Sequence, residues 1–152
     1  MVRRKSYISD YCPSARSLDV IGDWWSLLIV RDAFDGLTRF SEFQKSLGIA
    51  RNILTTRLRA LVERGILEIV PIAEGGARQA YRLTPMGRDL FPVMVALRQF
   101  GERHLFTADE QRSQLVERAT GQSIRLEVLT ADGRPVGADE TVILKVDDDD
   151  AS

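Results

Sequence analysis

The chain has 152 residues, room for one domain with a proper core and an appendage but tight for two full domains. Its 44% hydrophobic and 28% charged composition is globular, and no apolar run nears the roughly 20 residues that cross a bilayer. The net charge of -1 looks wrong for a nucleic-acid binder until the chain is divided: up to residue 119 there are 18 basic and 14 acidic residues, and beyond it 3 and 8.

The start, Met1-Val2-Arg3-Arg4-Lys5, is basic like the head of a secretion signal, but no apolar stretch follows it. The single cysteine, Cys12, cannot form an intrachain disulfide. Both features lead to the expectation of a cytoplasmic protein with no membrane partner.

Residues 13–21 predict a first helix ended by Gly22, with Leu18 and Ile21 on one buried face. Residues 24–34 predict a second. Trp24, Trp25, Leu27, Leu28, Ile29 and Val30 surround most of it, which marks a central core helix with both tryptophans packed. Asp35-Gly36 breaks it.

From Thr38, Phe40, Phe43 and Leu47 share a helical face, with Thr38 or Ser41 as the cap and Gly48 as the stop. A second amphipathic run over residues 50–64 follows almost at once. Two short helices joined by a glycine turn form a helix-turn-helix. In the second helix Leu54, Leu58, Leu61 and Val62 make the apolar stripe, with Ile53 beside it. The opposite face holds Arg51, Asn52, Thr55, Thr56 and Arg59, with no carboxylate before Glu63. Guanidinium, amide and hydroxyl groups donate to base edges and phosphates, whereas an ordinary solvated helix mixes lysine with glutamate. Across residues 38–64, Arg39, Lys45, Arg51, Arg57, Arg59 and Arg64 face only Glu42 and Glu63.

Residues 66–70 and 79–83 read as two strands around a glycine-rich tip, Glu74-Gly75-Gly76-Ala77, which is the form of a wing. Arg78 and Arg82 stand where a wing meets phosphate. Thr84-Pro85 starts a long helix to about Phe106, bent at Pro92, whose stripe of Leu90, Val93, Met94, Leu97, Gly101 and Leu105 calls for self-association. Thr107 to Glu110 has capping-box spacing and predicts a short helix to Thr120. Beyond it Ile124, Leu126, Val128 and then Val142, Leu144, Val146 alternate about Asp132-Gly133, predicting a β-hairpin. Asp147 to Asp150 is a solubilising acidic end. The expected fold class is mainly α with small β: a winged helix-turn-helix with dimerisation helices and a C-terminal β-hairpin appendage. Its expected division is 1–106, 107–146 and a disordered tail, 147–152.

His104 is the only histidine, so no Ser-His-Asp, Cys-His or multi-histidine metal design fits one chain. Neither a Gly-x-x-x-x-Gly-Lys loop nor a Gly-x-Gly-x-x-Gly turn is present. The expectation is a non-enzyme with no catalytic residues, metal or cofactor.

Five motifs occur in order: Cys12-Pro13; Leu18-Asp19-Val20-Ile21-Gly22-Asp23-Trp24-Trp25; Arg39-Phe40-Ser41-Glu42-Phe43; Ile53 to Leu61 in the second helix of the pair; and Tyr81-Arg82-Leu83-Thr84-Pro85-Met86-Gly87. Together, over about residues 11–105, they resemble the HxlR-type regulators, a branch of the MarR-like winged-helix proteins. The resemblance implies a homodimer built from the first helix and the long helix after the wing. It also implies double-stranded DNA as partner, with half-sites about 34 to 36 Å apart or a multiple. Arg39, Arg51, Asn52, Thr55, Thr56, Arg59 and Arg78 are then the expected DNA-binding residues of a repressor.

Two features depart from the family. Ala50 stands where members often have a serine cap, and the hairpin over 123–146 lies beyond where typical members stop. Several members sense oxidants or electrophiles through a cysteine in the position of Cys12. Here Pro13 starts a helix behind the thiol and Arg16 lies one turn on, a setting that favours thiolate. A small organic effector between the long helix and the winged core is the competing expectation.

Overall fold

The computed structural model describes residues 6–72 and 78–145, which fall into two compact units, Met1–Phe91 and Pro92–Ser152. The glycine-rich tip expected of the wing and the acidic end lie outside the described residues.

In the first unit, α1 spans Pro13–Ile21 and α2 spans Trp24–Phe34. Asp23 caps α2, its carboxylate accepting from the Ser26 N–H at 2.9 Å and the Ser26 hydroxyl at 2.5 Å. Ser26, Ile29 and Val30 then form the inward stripe, at i, i+3 and i+4. That register corrects the expectation for Trp24. Two residues before Ser26, it is turned to the far side of the helix and is 67% exposed, its ring 4.8 Å from that of Trp25. Leu18 likewise lies outward, and only Ile21 of α1 is buried.

α3, Phe40–Leu47, and α4, Arg51–Glu63, are joined through Gly48. Gly48 sits at φ 59, ψ 26, a left-handed stop that a side chain would strain. Phe43, Ile49, Leu54, Leu58 and Leu61 are buried together with Ile29 and Val30, so α2 is the post on which α3 and α4 rest. β1, Leu67–Pro71, pairs antiparallel with β2, Gln79–Leu83, in the register Leu67 to Leu83 and Ile69 to Tyr81. The root of this hairpin is tied inward by Leu67 and Leu83, and the Tyr81 N–H donates to the Thr38 carbonyl at 2.7 Å.

The long helix after the wing is two helices, α5 over Pro85–Arg88 and α6 over Phe91–His104. Pro92 has no N–H to give the Arg88 carbonyl and its ring would collide with it, so the expected bend is a break. Thr84 caps α5 as anticipated, accepting from the Gly87 N–H at 3.0 Å. Gly87 is required there, because a Cβ would meet the Ile66 carbonyl oxygen at 2.2 Å.

The second unit departs further from expectation. No helix forms over residues 107–120. Glu110 does reach back to the Thr107 N–H, but Leu115 and Val116 are adjacent and supply no helical stripe to follow it. Instead Arg98 of α6 holds this segment by two bonds to Ser113, and Val116 bridges Ser123. The hairpin is shorter than expected and paired differently. Leu129 bridges Pro135 around Asp132-Gly133, and a 3-10 turn, Ala138–Glu140, follows. Val142 and Leu144 do not pair with 124–128, and Val146 lies outside the described residues.

Candidate nucleic-acid interface

Helix α4 displays the site because its leucines leave only one face free. Leu54, Leu58 and Leu61 are buried, which turns Arg51, Asn52, Thr55, Thr56 and Arg59 outward, all five exposed. At 3.6 residues per turn they occupy an arc of about 140°. The Thr55 and Thr56 hydroxyls donate back to the carbonyls of Arg51 and Asn52 at 2.8 and 2.9 Å. Each hydroxyl keeps acceptor capacity and each residue a methyl group, suited to base donors and to thymine methyls.

Arg51 is held at the helix start, its guanidinium 5.3 Å from the centre of the Phe40 ring. The two helices are thereby linked at the edge of the face. Arg39, rather than the expected Thr38 or Ser41, occupies the N-cap position of α3; it makes no side-chain cap and is exposed. The Glu42 carboxylate accepts from the Thr38 and Arg39 N–H groups, each at 2.9 Å. Those two bonds, Thr38 first, hold its pKa below the usual value, with the Arg39 charge adding less. The Glu42 carboxylate is thus turned to the backbone, and Glu63 stands on the α4 face only in its last turn.

Two arginines of the basic segment do other work. Arg57 turns toward Asp23, with Nε 3.5 Å from Oδ1, and so ties α4 to the cap of α2. Arg64 donates to the Val20 carbonyl at 2.6 Å. In the hairpin, Arg82 is paired with Glu68 at 2.8 Å, which neutralises one of the two cations expected of the wing. Arg78 remains exposed at the edge of the tip, its carbonyl accepting from the Ile72 N–H at 3.1 Å.

Cys12 is exposed at the start of α1. Arg16 is not directed at the thiol as expected, since its Nε donates to the Asp10 carbonyl at 2.5 Å. The Asp10 carboxylate accepts the Cys12 N–H at 2.8 Å, which sets a negative group beside that residue. Among the described residues no cluster of His, Cys, Asp and Glu could hold a metal ion, and no helix is long and apolar enough to cross a membrane.

Two helices joined by a glycine turn, followed by a hairpin and mounted on a core helix, define a winged helix-turn-helix protein of the transcription-regulator class. The HxlR-like helix-turn-helix family matches residues 20–109, more than half of the chain. The chain therefore belongs to the HxlR-like helix-turn-helix family. It is 47% identical over 90 residues to the uncharacterized HTH-type transcriptional regulator MT3179 of Mycobacterium tuberculosis, covering 59% of this chain and 57% of that regulator's length. The match thus spans little more than half of that relative. Among solved structures, PA1607, described as a candidate transcription factor, is 57% identical with a TM-score of 0.87, covering 93% of this chain and 100% of that one. The redox regulator HypR in its oxidised form is 32% identical with a TM-score of 0.56, covering 63% of this chain and 100% of that one. The likeness to HypR thus takes in a smaller share of this chain than the likeness to PA1607.

Proposed function

We propose that this protein is a sequence-specific DNA-binding repressor that acts as a homodimer on a pseudo-palindromic operator. The observation that carries the reading is the exposed face of α4, which has no carboxylate before Glu63 in its last turn, with Arg51, Asn52, Thr55, Thr56 and Arg59 presented together on a helix braced by three buried leucines. In this reading that face enters the major groove, while Arg39 and Arg78 contact phosphates on either side. Residues 1–106 bind DNA and dimerise, and residues 107–146 form an appendage. Dimerisation uses α6, where Val93, Leu97 and Phe100, at i, i+4 and i+7, are 40%, 47% and 58% exposed.

The test is a gel shift with the protein's own upstream DNA at rising salt, where binding falls steeply as phosphate counterions are released. Arg51→Ala and Arg59→Ala each weaken operator binding by roughly 1 to 3 kcal/mol, whereas Arg57→Ala leaves it within about 0.5 kcal/mol. Salt-insensitive binding, or full affinity in both of the first two variants, overturns the reading.

The releasing signal in this proposal acts at Cys12, whose exposure leaves the thiol open to oxidants, and the likeness to HypR supports a redox input. A small ligand is the alternative signal. With one cysteine per chain, oxidation joins Cys12 to Cys12 of a second copy or to a small thiol. Diamide treatment releases the wild type from DNA and leaves Cys12→Ser bound; equal release of both assigns the signal to a ligand.

A further inference from the structure

The C-terminal unit holds two stretches of open backbone that its own connectivity keeps apart. One is residues 142–145, where Val142, Ile143 and Leu144 are 82%, 82% and 89% exposed and the main chain makes no hydrogen bond among the described residues. Thr141, immediately before them, has extended backbone. The other is one edge of residues 125–129. On the opposite edge the Val128 carbonyl accepts from the Val136 N–H at 3.1 Å, and the Gln99 side-chain amide takes both Leu126 groups, at 2.5 and 3.1 Å. The intervening main-chain groups of Arg125, Glu127 and Leu129 make no hydrogen bond among the described residues. Val128 and Leu129 are also 68% and 50% exposed.

Within one chain neither edge is accessible to residues 142–145. Beside Val136, Gln99 fills the position that the returning strand would take, and the chain leaves through the 3-10 turn, with the Gly137 N–H donating to the Glu140 carboxylate at 2.9 Å. On the far edge, 142–145 would run parallel to 134–136 with a strand between them. Such a crossover needs about a dozen residues, and only residues 137–141 are available.

Between two copies the obstacle disappears. Antiparallel pairing sets Lys145 opposite Glu127, Ile143 opposite Leu129 and Leu144 opposite Val128, so that opposite charges and apolar side chains each meet their own kind of partner. A slip of one residue would put Leu144 against Glu127. We propose that residues 142–145 of each copy add as a strand to residues 127–130 of a second copy of this chain, locking the homodimer by reciprocal exchange. This deepens the homodimer reading and rests on it only in requiring that two copies meet.

Val128 and Leu144 form a non-hydrogen-bonded pair in that register, with Cα atoms about 4.5 Å apart, within disulfide reach. Full-length chains carrying Cys12→Ser with Val128→Cys are co-expressed with chains carrying Cys12→Ser and Leu144→Cys, then oxidised. The expected product on non-reducing electrophoresis is a covalent dimer containing one chain of each kind, formed by neither chain alone. Ile143→Pro in the second chain, which removes a ladder N–H, lowers its yield at least tenfold. Absence of the mixed dimer, or closure of the bond within one chain carrying both substitutions, overturns the exchange. If the uncross-linked protein still sediments as a dimer and shifts DNA, the exchange alone fails; a monomer that shifts no DNA removes the homodimer reading as well.

Discussion

Glu42 shows how much one side chain decides near the interface. Its carboxylate takes the N–H groups of Thr38 and Arg39, which would otherwise stand unpaired at the head of α3, and it accepts rather than repels because it faces the helix start. Its folded pKa lies below the ordinary value of 4.5, so its contribution to stability is present above about 4.5 and is lost as pH falls through the lower, folded value. Glu42→Ala therefore destabilises the protein at pH 7, and the gap to wild type narrows below pH 4.5; urea titrations at the two pH values measure it. The role was legible only in part, since the acidic residue in the first turn of a helix is visible in sequence but which backbone groups it satisfies is not. Arg57 and Arg82 show the opposite limit. Sequence counts them with the other arginines, and only the positions of Asp23 and Glu68 show them to be already paired.

Among the elements, α4 matches its sequence pattern closely because a four-three spacing of leucines and a glycine on each side leave one way to bury the stripe. Its start is its weak point. Ala50 has capping backbone, φ -62 and ψ 140, and no side-chain acceptor for the first N–H groups. Ala50→Ser supplies one and stabilises the fold by about 1 kcal/mol, read as a rise in the denaturation midpoint with unchanged slope. The element after the wing was less legible. Its apolar spacing runs continuously through Leu90 and Val93, yet Pro92 ends one helix and begins another. Periodicity reports which side chains seek burial and is blind to a missing N–H. In the C-terminal unit, Gln99 takes the place of a strand residue against Leu126. No alternation rule anticipates a side chain serving as a strand.

At the scale of the molecule, exposed apolar side chains on α6 are the surface that the proposed homodimer would cover. Leu97 lies between Val93 and Phe100 on one side of α6, while Val95, on the other side, is buried. Leu97→Asp places a charge in the proposed α6 seam, and the dimer dissociation constant rises at least tenfold in sedimentation, with operator affinity falling alongside it. A dimer of unchanged affinity shows that α6 is not the seam.

The sequence by itself determined the order of helices and strands through the first unit, the stripe that turns α4 outward, and the family to which the chain belongs. Each depends on local spacing, turn residues and motif order, which are properties of neighbours in the chain. Tertiary structure decided which face of α2 is buried and so the exposure of Trp24, which arginines are left for another partner, and how residues 107–145 fold. Those outcomes turn on groups far apart in sequence, Arg57 with Asp23, Arg98 with Ser113 and Gln99 with Leu126, whose meeting no local pattern encodes.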